Sequence, residues 1–101
     1  MLYLISYDLK NSTKDYSSLY EAIKSYGQWW HYMDSTWIVS TQCQIDAVVR
    51  SVRSQIEEAD NLFVVEISGC RRNGWLPKKA WDWLRAHDVT TRMNTDNTSE
   101  S

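Results

Sequence analysis

Residues 28–41 read Gln28-Trp29-Trp30-His31-Tyr32-Met33-Asp34-Ser35-Thr36-Trp37-Ile38-Val39-Ser40-Thr41, and this stretch decides the fold. Two runs, Gln28 to Met33 and Thr36 to Thr41, are crowded with aromatic and β-branched side chains. Such residues fit a pleated, half-buried surface better than a helix. Asp34-Ser35 between the runs is turn chemistry, because both side chains can bond nearby backbone. The stretch is therefore predicted to be a β-hairpin.

Helical periodicity flanks the hairpin on both sides. Before it, Tyr16, Leu19, Tyr20, Ile23 and Tyr26 follow the i, i+3, i+4, i+7 spacing of an amphipathic helix that begins near Asp15. Asn11, Ser12 and Thr13 are helix-start candidates. Gly27 fits the residue just past a helix end, where a left-handed conformation is needed. After the hairpin, Ile45, Val48, Val49, Val52 and Ile56 repeat the pattern, with Arg50, Arg53, Glu57 and Glu58 mostly off the stripe and Asp60-Asn61 ending it.

Outside the helices lie two further strands. Leu2 to Leu9 (LYLISYDL) carries almost no charge before Asp8 and reads as a buried central strand. Leu62 to Ile67 (LFVVEI) is the fourth strand, stopped by Gly69. The order βαββαβ places two helices on one face of a four-stranded antiparallel sheet, a ferredoxin-like α+β fold. Pro77 suits a first helical turn, and Trp81 and Leu84 supply an apolar face, so a third helix is expected from about Pro77 to His87. Residues 1–88 read as one domain, and residues 89–101 as a polar tail too poor in apolar residues to order.

The net charge of −2 argues against a protein that coats nucleic acid by charge alone. Charge is uneven, however. Between residues 71 and 85, Arg71, Arg72, Lys78, Lys79 and Arg85 face only Asp82. That stretch is either a solvated basic face or a phosphate-contacting patch. Six Trp and six Tyr are a large aromatic load for 101 residues, part of which is expected in a subunit interface. Cys43 and Cys70 have no metal-ligand spacing and are expected to be free thiols in a reducing cytoplasm. The short, alternating apolar start does not read as a signal peptide, and no stretch has the length of a membrane span.

Asp8 is the residue that draws chemistry. It ends an apolar strand, where a carboxylate is costly unless it meets water, a donor or a metal. It either caps the following loop or binds a cation. Mg²⁺ or Mn²⁺ is held poorly by one carboxylate. A two-fold axis near Asp8 would set two copies face to face, and a metal held there could activate water for phosphodiester cleavage.

The segment Leu4-Ile5-Ser6-Tyr7-Asp8-Leu9 resembles the first-strand signature of the Cas-two-like families. These comprise the CRISPR spacer-acquisition subunit, the virulence-associated protein D toxins and the SinR-like proteins. Asp34-Ser35-Thr36-Trp37-Ile38-Val39 is similar to their third strand, and Leu62 to Ile67 matches their fourth in position. Short stand-alone SinR-like members look nearest, through the run Trp29-Trp30-His31 to Trp37. The resemblance covers residues 2 to 68. It implies a ferredoxin-like homodimer, with Asp8 of each copy facing a divalent metal in nuclease members, and with Tyr7 and Ser35 near the cleft. Gly69 to His87 departs from the swapped fifth strand of CRISPR members, and a Trp-rich helix is expected in its place.

Other residues carry two readings each. His31 is a general acid or base, or an outward strand residue. Asp34 is a turn residue or a second metal ligand. Arg71 and Arg72 grip a phosphate or are solvated. Trp75, Trp81 and Trp83 stack on bases or, as their spacing favours, pack in a core or dimer. Three functions follow. The first expectation is a Cas-two-like homodimeric module that binds nucleic acid (RNA or DNA) or a protein partner, as an accessory of a defence, phage or toxin–antitoxin system. The alternative is a metal-dependent nuclease, RNA before duplex DNA, using paired Asp8 carboxylates. A small-ligand sensor is the third, by analogy of fold.

Overall fold

A computed structural model of the chain describes residues 1–88. The polar tail expected from residue 89 onward lies outside the described residues. The elements are β1 (Leu2–Asp8), α1 (Ser17–Lys24), β2 (Gln28–Met33), β3 (Thr36–Ser40), α2 (Ile45–Arg53), β4 (Asn61–Glu66) and α3 (Lys78–His87). The four strands form one antiparallel sheet in the order β2-β3-β1-β4. This is the ferredoxin-like α+β arrangement with a helix added after its last strand.

Boundaries moved where local side-chain bonds intervene. The first helix starts at Ser17 and not at Asp15, because the Asp15 carboxylate accepts a hydrogen bond from the Ser17 N–H at 2.9 Å and holds a turn there. The second helix stops at Arg53. Its guanidinium donates to the carbonyls of Ile56 and Glu57, both at 3.3 Å, so Ile56 joins the core from a turn beyond the helix. Gly27 takes φ +87° just past α1, a conformation only glycine adopts cheaply.

Strand alternation divides the apolar residues between two cores. Tyr3, Ile5 and Tyr7 of β1 join Trp37 and Val39 of β3 beneath α1 and α2, which contribute Leu19, Ile23, Val48 and Val52. The other sheet face holds Leu2, Trp30 and Ile38, covered by Ala80, Trp81 and Leu84 of α3. The sheet therefore has helices on both faces.

α3 is pinned by directed bonds as well as by burial. The Trp30 indole N–H donates to the Ala80 carbonyl at 3.2 Å. The His87 Nε2 meets the Gln28 side-chain oxygen at 3.0 Å. Asp88, at the end of the helix, accepts from the Gly69 N–H at 2.9 Å and forms an ion pair with Arg72.

A second buried carboxylate organises the opposite end of the sheet. Asp60 accepts from the Lys10 N–H at 2.8 Å, the Glu57 N–H at 2.8 Å and the Tyr16 hydroxyl at 2.9 Å. These bonds, that of the Lys10 N–H foremost, hold its carboxyl below the usual carboxylate range. Asp60 thereby ties the loop after β1 to the turn before β4. Among the described residues no helix is long and apolar enough to cross a membrane.

Candidate functional site

The antiparallel register lays side chains out in rows across the sheet, because directly opposed residues point to the same face. On the α3 side, one row runs Trp30, Ile38, Leu4, Val65. Trp30 and Ile38 of this row belong to the α3 core, with Leu4 packed against it. The next row toward the hairpin turn runs Met33, Thr36, Ser6, Phe63, and α3 does not cover it. Phe63 is 63% exposed and Met33 50%. Asp8, opposite Asn61, closes this uncovered area at the end of β1.

Asp8 is thus on the uncovered face, as alternation from Leu2, Leu4 and Ser6 requires. Its carboxylate receives the Lys10 ammonium at 2.7 Å. That bond raises the pKa of Lys10, so the neighbour is firmly a cation. Within one chain Asp8 is a lone carboxylate already facing a cation. No cluster of three or more His, Cys, Asp or Glu side chains suited to a metal occurs among the described residues. One protomer by itself does not fit Mg²⁺ or Mn²⁺, which seek several oxygen ligands.

Tyr7 and Ser35 are neighbours, since the Tyr7 N–H donates to the Ser35 carbonyl at 3.1 Å. Their side chains part company. Ser35 is exposed in the hairpin turn. The Tyr7 phenol points to the opposite face from Asp8, buried under α1 and α2, where its oxygen accepts from the Trp37 indole N–H at 2.8 Å. Burial raises its pKa. The side chain of Tyr7 is a core group, out of reach of a ligand on the uncovered face.

The basic stretch is more neutral than its sequence. Arg72 is taken up by Asp88 and by the Ile67 carbonyl at 3.3 Å. Asp82 receives both Lys78, at 2.9 Å, and Arg85, at 2.6 Å. The Lys78 bond is the largest cause of the lowered pKa of Asp82. Arg71 and Lys79 are exposed.

His31 closes the hairpin: its Nε2 bonds with the Asp34 carbonyl at 2.9 Å, and its ring stacks on Trp37 at 3.6 Å between centroids. His31 and Asp34 are both exposed, and the geometry uses them to hold the turn. Cys43 and Cys70 are unpaired and exposed.

The three tryptophans of the C-terminal segment separate. Trp81 is buried against the sheet, and Trp83 packs beside it with its ring stacked on His87 at 4.0 Å. Trp75 is 99% exposed. It borders an open hollow of about 490 Å³ lined by Asn73, Gly74, Trp75, Leu76 and Trp81. Sequence reasoning missed Asp60 and Asp88 as buried anchors; an aspartate beside a helix end looks the same whether it caps in water or is buried. It also grouped Trp75 with its two packed neighbours, although Gly74 and Pro77 on either side signal a loop. No protein-family model matches the chain, and no curated protein matches it in sequence.

Proposed function

We propose that the chain is a Cas-two-like homodimeric module that binds nucleic acid, with no cleavage needed for its role, as an accessory of a defence, phage or toxin–antitoxin system. The observation that carries this reading is the uncovered row Met33, Thr36, Ser6, Phe63 beside the α3 core, in which Leu2, Trp30 and Ile38 are buried. Phe63 and Met33, 63% and 50% exposed, leave apolar side chains in water at both edges of this row. A second copy related by a two-fold axis would cover it with the same surface. The first-strand and third-strand resemblance supports the same assembly. The acidic total charge leaves contact with nucleic acid to local cations, which cluster after β4.

Light scattering tests the dimer. The wild type is expected to be a dimer at micromolar concentration. Phe63→Asp is expected to weaken association about 30-fold or more, the loss typical of a central aromatic anchor. A wild-type monomer under those conditions would sink the reading.

A second reading is favoured by one placement, that of Asp8 on the same uncovered face. In a dimer two Asp8 carboxylates could approach each other and together offer a Mg²⁺ or Mn²⁺ ion the ligands one chain lacks. Cleavage of phosphodiesters would then depend on them. The expected signature is RNA cleavage with Mn²⁺ that disappears in EDTA and in Asp8→Asn. Equal cleavage by wild type and Asp8→Asn would mark a contaminant and exclude Asp8 as the metal ligand.

A further inference from the structure

Trp75 is the one tryptophan among the described residues that packs against nothing. It is 99% exposed, whereas Trp29 stands at 38% and packs at a tilt against Trp37. The loop that presents Trp75 stands away from the body. A Cβ placed on the preceding Gly74 would meet no atom within 4 Å. The loop is nevertheless tethered: Leu76 packs into the core beneath α3, and Trp81 of that helix forms one wall of the hollow beside Trp75. The indole is thus held out in water on a short leash, next to an open space of about 490 Å³. That volume falls in the range of small-ligand sites.

The segment that carries Trp75 is cationic in sequence. From Gly69 to Lys79 the sequence is GCRRNGWLPKK, with four cations and no anion. Arg72 and Lys78 are engaged by Asp88 and Asp82. Arg71, four residues before Trp75, and Lys79, four after, are exposed and make no ion pair among the described residues. An exposed aromatic ring with an uncommitted cation four residues along the chain on either side suits a single-strand binder, in which a base stacks on the ring and phosphates meet the charges. A duplex does not fit, because its base faces are already stacked. A two-fold contact with a second copy at this loop would set Arg71 and Lys79 against their own kind.

We infer that the loop between β4 and α3 is a single-stranded nucleic-acid site, in which Trp75 stacks on an unpaired base over the hollow and Arg71 and Lys79 contact the flanking phosphates. The inference rests on the nucleic-acid part of the proposed function and is independent of dimerisation and of Asp8.

The test is fluorescence anisotropy with labelled uridine and thymidine 16-mers and a duplex of the same length, at several salt concentrations. The proteins are wild type, Trp75→Ala, Trp75→Phe and the pair Arg71→Gln/Lys79→Gln. Because the Trp75 ring stands in water, Trp75→Ala should melt with the wild type, and a melting curve checks this. Single strands are expected to bind the wild type in preference to the duplex. Trp75→Ala is expected to lose about 5- to 100-fold in affinity, the worth of one stacked base. Trp75→Phe should keep most of it, and the double variant should flatten the salt dependence by about 0.7 for each phosphate no longer neutralised. If the wild type binds single strands and Trp75→Ala binds them equally, the stacking site is wrong while the proposed function stands. If the wild type binds no nucleic acid, both fall. Trp75-dependent binding of polyglutamate without binding of single strands would overturn the inference in favour of an acidic protein partner.

Discussion

Trp37→Ala is expected to leave much of the chain unfolded at 25 °C. Trp37, on β3, is 1% exposed and belongs to the larger core, to which α1 and α2 contribute. Its ring lies 6.2 Å from Tyr20, 5.5 Å from Trp29 and 3.6 Å from His31, centroid to centroid. Truncation of a buried Trp costs about 3–5 kcal/mol. The change also strips the buried Tyr7 hydroxyl of its donor at 2.8 Å. An orphaned buried polar group adds about 1–3 kcal/mol. A domain of this size has roughly 5–10 kcal/mol in total, so the losses reach most of it. Urea titration should show a large fall in midpoint, or no folded baseline. Trp37→Phe, which keeps one aromatic ring in the core while losing the N–H donor and part of the indole volume, should fall less. A Trp37→Ala midpoint near that of the wild type would mean that the aromatic cluster is not the source of stability.

Asp88→Ala is expected to act just as strongly but locally. The Asp88 side chain is 1% exposed, and its partner Arg72 is 21% exposed. Removing one member of a buried pair strands the other charge and costs about 3–5 kcal/mol. The same carboxylate holds the Gly69 N–H at 2.9 Å, at the point where the chain leaves the sheet toward α3. Its loss should therefore release α3 and leave the βαββαβ core folded under α1 and α2. Hydrogen exchange should show Lys78–His87 losing protection while β1, β3 and β4 keep theirs. Trp30 and Ile38, no longer covered, should increase the binding of a hydrophobic dye. Loss of protection throughout the sheet would show instead that α3 is integral to the fold. Asp88→Asn, which keeps an acceptor for Gly69 but no charge for Arg72, should lie between wild type and Asp88→Ala.

Most of the fold was legible because it is written in short-range periodicity. The hairpin of residues 28–41, the stripes through Leu19 and Ile23 and through Val48 and Val52, and Gly27 beyond α1 each occupy fewer than about fifteen residues. Each is decided by alternation, by helical spacing or by a backbone conformation. The helix ends moved by two or three residues because one side-chain bond, such as Asp15 to Ser17, outweighs the weak preference that places a boundary. Alternation also carries a lesson about Tyr7 and Asp8. Adjacent residues of a strand face opposite ways, so only one of them can lie on the uncovered face, and the sequence held that information.

What the sequence determined by itself is the order of elements, the ferredoxin-like sheet, the place of Asp8 at the exit of the first strand and a cationic segment after the fourth. Tertiary structure alone decided three things. It decided that α3 returns over the sheet face opposite α1 and α2 and stops short of the row ending in Phe63. It decided that Asp88, outside the basic segment in sequence, neutralises Arg72 within it. It decided that of three nearby tryptophans two are packed and Trp75 is left in water. Each of these depends on contacts between residues distant along the chain or on how far a helix reaches over its support. Local propensity carries no record of either, because burial is a property of the whole packed surface and not of the residue.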